Sequence, residues 1–313
     1  MRVLYIAGHG RSGSTLLEKI LAQVDGLVAV GELRQIWKRG FAEDHLCGCG
    51  EAFSACRFWA SVTARARDLS PGFDPREGLR LQKSVDRTRR VPRLLTARRG
   101  SAFGREVTAY AAQLGALYEA VAAESSGAVV IDSSKDPSML FVLRHVPGID
   151  LRVVHLVRDS RAVAFSWQRK KVWESRGGEE LYFDVYTAGA AAREWTWRNL
   201  LASLARRRAA ACMVLRYEDL VADPAGATAR VLELVGRTAS LDFIGEEGAV
   251  LDRPVHSVSG NPLRFGQGAV TIRPDSEWLA ALPRRDRAVA TAYSWPLLLA
   301  YGYPLRPWRR SAL

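Results

Sequence analysis

Short apolar runs alternate with longer amphipathic stretches along the chain, a pattern that predicts repeated strand–helix–strand units built around a parallel sheet. The runs are Arg2–Ala7, Leu27–Val30, Ala128–Asp132, Leu151–Val157 and Cys212–Arg216. Most are continuous rather than alternating in polarity, as in strands covered on both faces. Helical periodicity predicts helices over Ser14–Val24, Glu106–Ala123, Pro137–His145, Arg161–Trp173, Ala188–Arg208, Ala225–Val235 and Ser276–Leu299. The expected fold class is α/β, a parallel sheet of about five strands flanked by helices on both faces. No repeat or low-complexity linker divides the chain, so one domain is expected over residues 1–313.

No apolar run approaches the ~18–20 residues that span a bilayer. The stretch from Ala288 to Tyr303 comes nearest, and Pro296 and Gly302 interrupt it. The run after Met1 is too short for a signal peptide. The expectation is therefore a cytoplasmic protein with no membrane span.

Charge changes the picture more than composition does. A hydrophobic fraction of 48% and a charged fraction of 25% are ordinary for a globular protein. Against that background, 45 Lys and Arg face 33 Asp and Glu, a net charge of +12. Such a field favours anionic ligands without choosing among nucleotide, nucleic acid, acidic glycan and membrane surface. Residues 80–99 concentrate it, with Arg80, Lys83, Arg87, Arg89, Arg90, Arg93, Arg98 and Arg99 against one acid, Asp86. Few aromatics interleave this segment, which disfavours a nucleic-acid patch. It is expected to be a solvated excursion or a lid over an anionic site.

Four cysteines are too few for a disulfide scaffold at this length. Three cluster in His45-Leu-Cys47-Gly-Cys49 followed by Cys56. A zinc site from His45, Cys47, Cys49 and Cys56 competes with a local disulfide or packed thiols. The C-x-C spacing fits the usual knuckle poorly, so no metal is expected.

The first strand ends in Gly8-His-Gly10-Arg11-Ser12-Gly13-Ser14-Thr15, a Walker A frame with serine where lysine should stand. In a strand–loop–helix context its backbone N–H groups and the following helix suit an anion, which makes the expected sheet P-loop-type. A nucleotide kinase needs the missing lysine for its β- and γ-phosphates. Arg11 is the nearby cation, and its planar fork matches phosphate or sulfate oxygens. Asp132 is expected to cap a turn rather than hold Mg²⁺. Ligands of open parallel sheets sit beyond the carboxyl ends of the strands, where Glu32, Lys135, Arg158 and Tyr217 all fall.

With these residues in place, the sequence resembles the sulfotransferases that use 3′-phosphoadenosine 5′-phosphosulfate, especially the bacterial and tyrosylprotein branch. The resemblance runs from about residue 8 to 303, nearly the whole chain. The loop Gly10-Arg11-Ser12-Gly13-Ser14-Thr15 resembles the 5′-phosphosulfate loop of that family. His155-Leu-Val-Arg158 through Ser166 resembles its 3′-phosphate motif, which implies that Arg158 and Ser166 bind that phosphate. Val30-Gly31-Glu32 resembles the segment of the catalytic base, and Ser134-Lys135-Asp136-Pro137 that of a lysine acting on the transition state. Arg216-Tyr217 resembles a segment beside the adenosine. His256 to Phe265 resembles a late loop closing over the donor, which puts Ser257, Ser259 and Arg264 in its binding set.

The resemblance implies in-line transfer of a sulfuryl group to a hydroxyl, with Glu32 as base and adenosine 3′,5′-bisphosphate leaving. Arg11 and Lys135 would steady the charge, with no metal required. The acceptor is open among small molecules, carbohydrates and lipids, and no nucleic-acid partner is expected. Competing readings are a P-loop kinase and a non-catalytic basic nucleic-acid-binding protein. Locally, Glu32 could instead serve a helix N-terminus, and His155 reads as a core residue. Phe165, Trp167, Trp173, Trp195 and Trp197 read as helix–sheet packing rather than an acceptor pocket.

Overall fold

The computed structural model describes residues 1–98, 100–176 and 179–306; Arg99 of the basic segment lies outside them. Ten strands are described: β1 (Arg2–Gly8), β2 (Leu27–Ala29), β3 (Val129–Lys135), β4 (Asp150–Val157), β5 (Val172–Arg176), β6 (Glu179–Tyr182), β7 (Ala211–Arg216), β8 (Ile244–Gly245), β9 (Gly248–Leu251) and β10 (Gly268–Thr271). Five form a parallel sheet in the order β2-β3-β1-β4-β7. The helices are α1 (Ser14–Leu21), α2 (Arg57–Leu69), α3 (Pro75–Val85), α4 (Val91–Leu95), α5 (Ala102–Glu124), α6 (Pro137–Leu143), α7 (Ser160–Trp167), α8 (Ala188–Arg206), α9 (Tyr217–Ala222), α10 (Pro224–Leu234), α11 (Glu277–Ala281) and α12 (Arg284–Ala300).

The continuous apolar character of β1 has a direct cause. Val3, Tyr5 and Ala7 pack into one core with residues of α2, α3, α5, α6 and α8, while Leu4 and Ile6 pack into another with α1, α9 and α10. The expected α/β architecture, five parallel strands with helices on both faces, is thus observed. Trp37, Trp59, Leu4 and Ile6 are fully buried. Each such side chain contributes roughly 1.5–3 kcal/mol through removal from water.

Three expectations change. The helix expected over Arg161–Trp173 stops at Trp167, and the chain returns as the antiparallel hairpin β5–β6, with Trp173 on a strand. The helix expected over Ser276–Leu299 is two, α11 and α12, separated at Leu282-Pro283. The basic segment is solvated, with Arg80, Lys83, Arg87, Arg89, Arg93 and Arg98 exposed, but it is folded rather than free: α3, a 3₁₀ turn (Thr88–Arg90) and α4 run through it, and none of its described residues lines the cleft described below. Its one acid is buried and takes Arg34, with Nε 2.7 Å from Asp86 Oδ2 and Nη2 2.6 Å from the Asp86 carbonyl. Among the described residues no helix is long and apolar enough to cross a membrane.

Candidate active site

The carboxyl ends of β1, β3, β4 and β7 open on a cleft of about 770 Å³. From β1 the chain enters the loop Gly8–Gly13 and then α1. Gly13 has φ 86°, and a Cβ there would stand 2.6 Å from Cδ2 of Tyr217, so glycine lets that ring close on the loop. No side chain caps the N-terminus of α1. Its first backbone N–H groups are left for a ligand or water in the cleft that Gly13, Ser14 and Thr15 line.

Arg11 has φ 67°, and its guanidinium is sandwiched by aromatic rings, 3.9 Å from the Phe183 centroid and 4.9 Å from that of Trp167. Its Nε and Nη2 are buried and have no hydrogen-bond partner among the described residues. Burial lowers Arg11 to about 10, partly offset by Glu32. It is therefore still a cation at neutral pH, with donors unspent.

Glu32 follows β2, and Lys135 ends β3 with φ 65°; the left-handed conformation shared by Arg11 and Lys135 is costly for a side chain with a Cβ. Lys135 Nζ donates to Glu32 Oε1 at 2.7 Å and to the Ser133 carbonyl at 2.7 Å. Burial pushes the Glu32 carboxyl up, but Lys135, Arg39 and Arg264 outweigh it and hold the group below the ordinary carboxylate range. Glu32 precedes a 3₁₀ turn, Leu33–Gln35, yet its side chain makes no cap bond, so helix capping does not account for it. Asp132 does cap a turn: it accepts from Ser134 N–H at 2.7 Å and from the Ser134 and Tyr118 hydroxyls.

Arg158, at the end of β4, donates to the Arg11 carbonyl at 3.0 Å and to Asp275 Oδ2 at 2.6 Å. Its guanidinium lies 4.5 Å from the centroid of Tyr217. Ser166, on α7, lines the same cleft. Gly10, Arg11, Gly13, Ser14, Thr15, Glu32, Lys135, Arg158, Ser166 and Tyr217 therefore come together. Ser12, Ser257, Ser259 and Arg264 do not line the cleft. Ser12 is buried. The Ser257 hydroxyl donates to Glu18 Oε1 at 2.8 Å, and Ser259 accepts from Arg39 through its hydroxyl and from Glu32 N–H, at 3.2 Å, through its carbonyl. Arg264 is fully buried against Glu174, Nη2 to Oε2 at 2.8 Å.

Several cleft residues carry no local sequence signal. Trp167 and Trp173 line the cleft instead of only packing helix on sheet, whereas Trp195 is buried and Trp197 exposed. Asp275, Lys171 and Phe183 arrive from segments with no recognisable motif. His9 is held at about 3 by burial and by Arg198, so a neutral ring faces the cleft. His155 is a buried core residue, Nε2 2.8 Å from Asn199 Oδ1, and its Nδ1 has no hydrogen-bond partner among the described residues.

A cation-lined cleft at the carboxyl edge of a parallel sheet, beside a glycine-rich loop that opens a helix, defines an α/β protein built to handle an anionic ligand. Residues 4–240 match the model of the Sulfotransferase family, and the chain belongs to that family, hence to the transferases. No curated protein matches it in sequence. Among solved structures, it is similar to the sulfotransferase domain of the Synechococcus PCC 7002 olefin synthase, with 20% identity, TM-score 0.53, and 97% of this chain and 96% of that one covered. It is also similar to a sulfotransferase domain from the curacin biosynthetic pathway, with 16% identity, TM-score 0.52, and coverage of 96% and 98%. These likenesses establish the fold.

Proposed function

We propose that the chain, acting as one unit over residues 1–313, transfers a sulfuryl group from 3′-phosphoadenosine 5′-phosphosulfate to an acceptor hydroxyl. The observation that carries this reading is the buried, unpartnered Nε and Nη2 of Arg11, in the same cleft as the Lys135–Glu32 pair. Cationic donors without partners suit a ligand whose charge rests on peripheral oxygens.

The acceptor oxygen attacks sulfur in line, its O–S bond forming as the bond from sulfur to the bridging phosphate oxygen breaks. The Glu32 carboxylate takes the hydroxyl proton, a step worth ~10²–10⁴ in rate. Arg11, Lys135 and the N–H groups of Gly10, Ser12, Gly13, Ser14 and Thr15 hold the sulfuryl and leaving-group oxygens. Arg158 and Ser166 take the 3′-phosphate, and Tyr217 lies against the adenosine. The bisphosphate leaves as an anion, and the chemistry needs no metal. Ser257, Ser259 and Arg264, set back from the cleft, support this machinery through Glu18, Glu32 and Glu174. The acceptor is a small molecule, carbohydrate or lipid that enters beside Trp167, Trp173 and Tyr186.

Calorimetry with adenosine 3′,5′-bisphosphate and with ATP–Mg²⁺, on wild type and Arg158→Ala, tests the reading. Metal-independent binding of the bisphosphate, weakened in the variant by the ~10–100-fold expected for charge-assisted hydrogen bonds, supports it. No bisphosphate binding, or preference for ATP–Mg²⁺, overturns it.

A further inference from the structure

Outside the cleft, the sulfurs of Cys47, Cys49 and Cys56 and a ring nitrogen of His256 converge, all within 4.8 Å of one another. Cys49 Sγ lies 3.7 Å from Cys56 Sγ, and His256 Nδ1 lies 3.4 Å from Cys56 Sγ and 3.7 Å from Cys47 Sγ. A tetrahedral zinc with bonds of about 2.3 Å to sulfur and 2.0–2.1 Å to nitrogen sets its ligand atoms about 3.8 Å (sulfur to sulfur) and 3.5 Å (sulfur to nitrogen) apart. These three separations match those edges, and the remaining ones lie within 4.8 Å. All four cysteines of the chain are free thiols, so no disulfide occupies the cluster.

The surroundings are built to hold these ligands in place. Leu46 pairs with Ala52 across the turn, Cys47 N–H donates to the Glu51 carbonyl at 2.8 Å, and Gly50 N–H returns to the Cys47 carbonyl at 2.8 Å. Gly48 N–H donates to the Ser257 carbonyl at 2.9 Å, and a Cβ on Gly48 would stand 2.6 Å from the Val255 carbonyl oxygen, so glycine permits this approach. The His256 ring stacks on Phe58 at 4.4 Å between centroids and 10° between planes. Trp59 Nε1 donates to the His256 carbonyl at 3.0 Å. Cys47 and Cys56 are buried, and Cys49 and His256 are partly so.

We propose that Cys47, Cys49, Cys56 and His256 bind a structural zinc ion. Three thiolates and one imidazole are a soft, closed set with no position left for a reacting water, which separates this site from catalysis. Loading the ion releases the thiol protons. His45, adjacent in sequence, is not a ligand: its Nδ1 faces Glu174 Oε1 at 2.8 Å. The proposal departs from the expectation of no metal, which was drawn from C-x-C spacing with His45 as the fourth candidate, because His256 comes from a distant segment.

The ion would staple the 46–56 turn to the segment 255–260. That segment holds the end of β2, with Val258 N–H donating to the Val30 carbonyl at 3.0 Å and the Ser259 carbonyl accepting from Glu32 N–H at 3.2 Å. The zinc thereby braces the backbone that presents Glu32.

Metal analysis of the reduced, untagged full chain tests the proposal. About one equivalent of zinc per chain is expected, and cobalt substitution should produce the absorption of a tetrahedral thiolate complex. Cys49→Ser and His256→Ala should fall well below one equivalent, whereas Cys212→Ser and His45→Ala should keep it. Where a ligand variant fails to fold, cobalt titration of the chelator-stripped wild type decides. Chelation should lower the melting temperature, and added zinc should restore it. Zinc-free protein with no cobalt spectrum, a disulfide among the three cysteines, or zinc lost from His45→Ala but kept by His256→Ala overturns the assignment. None of these readouts requires sulfuryl transfer.

Discussion

Lys135 Nζ sits 2.7 Å from Glu32 Oε1, so the cleft's basic and acidic candidates hold each other before any ligand arrives. Lys135 keeps a second anchor on the Ser133 carbonyl and bears a left-handed φ of 65°. Its ammonium is thus placed by backbone as well as by charge. For Lys135 to steady a leaving group, it must share its protons with the donor, which frees Glu32 to accept from the acceptor. Replacing Glu32 with glutamine keeps the size and removes the base. Glu32→Gln should lower kcat by ~10²–10⁴ while changing bisphosphate affinity little. A variant with near-native kcat in a single-turnover assay would remove Glu32 from the reaction.

The same pair predicts a pH signature. Burial raises the Glu32 carboxyl, and Lys135, Arg39 and Arg264 together bring it below its usual range. A base is active when deprotonated, so the acid limb of kcat/KM should lie below the ~4.3 of an unperturbed glutamate. Lys135→Met removes one lowering cation and leaves burial, so that limb should move to higher pH. For stability the sign is the same. A carboxylate depressed in the fold stabilises above its unfolded pKa and loses that contribution as pH falls through the folded value. Parallel pH–rate profiles of wild type and Lys135→Met decide the point: an unshifted limb means that another group titrates.

How much of this was legible in the sequence depended on how local the signal was. β1 was legible because Leu4 and Ile6 face one core and Val3, Tyr5 and Ala7 the other, leaving an uninterrupted apolar run. The Gly8–Thr15 loop was legible because strand, glycines and helix are contiguous. The hairpin β5–β6 was not, since Trp173 continues the spacing of a helix that ends at Trp167. Asp86 looks like one acid in a basic run, and its burial beneath Arg34 depends on a residue far back in the chain. Ser257 and Ser259 lie in the segment that the family resemblance picks out, yet their hydroxyls turn to Glu18 and Arg39. His256 joins the three cysteines across about two hundred residues. No spacing rule reaches that far, and nearby His45 looked the better ligand.

Asp275 occupies Arg158 in the cleft, 2.6 Å from Nη2, and its side chain is 42% exposed. A phosphate arriving at Arg158 must displace it. Asp275→Asn should therefore strengthen bisphosphate binding by about two- to fivefold, the range of a partly exposed ion pair. The effect should shrink at high salt, where both the pair and the ligand's attraction are screened. Weaker binding in this variant, measured by calorimetry, would mean that Asp275 positions Arg158 for the ligand instead of competing for it.

Arg264 and Glu174 form a different kind of pair, with both side chains wholly removed from solvent. It ties β5 to the segment after Gly260, and His45 shares the same carboxylate. Removing one partner strands a buried charge, which costs about 3–5 kcal/mol, whereas replacing both with apolar groups of similar size can be nearly neutral. Arg264→Met should lower the unfolding free energy from denaturant titration by that amount, and Arg264→Met with Glu174→Leu should recover much of it. Bisphosphate affinity of the folded fraction should change little, since Arg264 does not line the cleft. Native stability with a large loss of affinity would instead place the guanidinium on the ligand and require the late segment to rearrange when the donor binds.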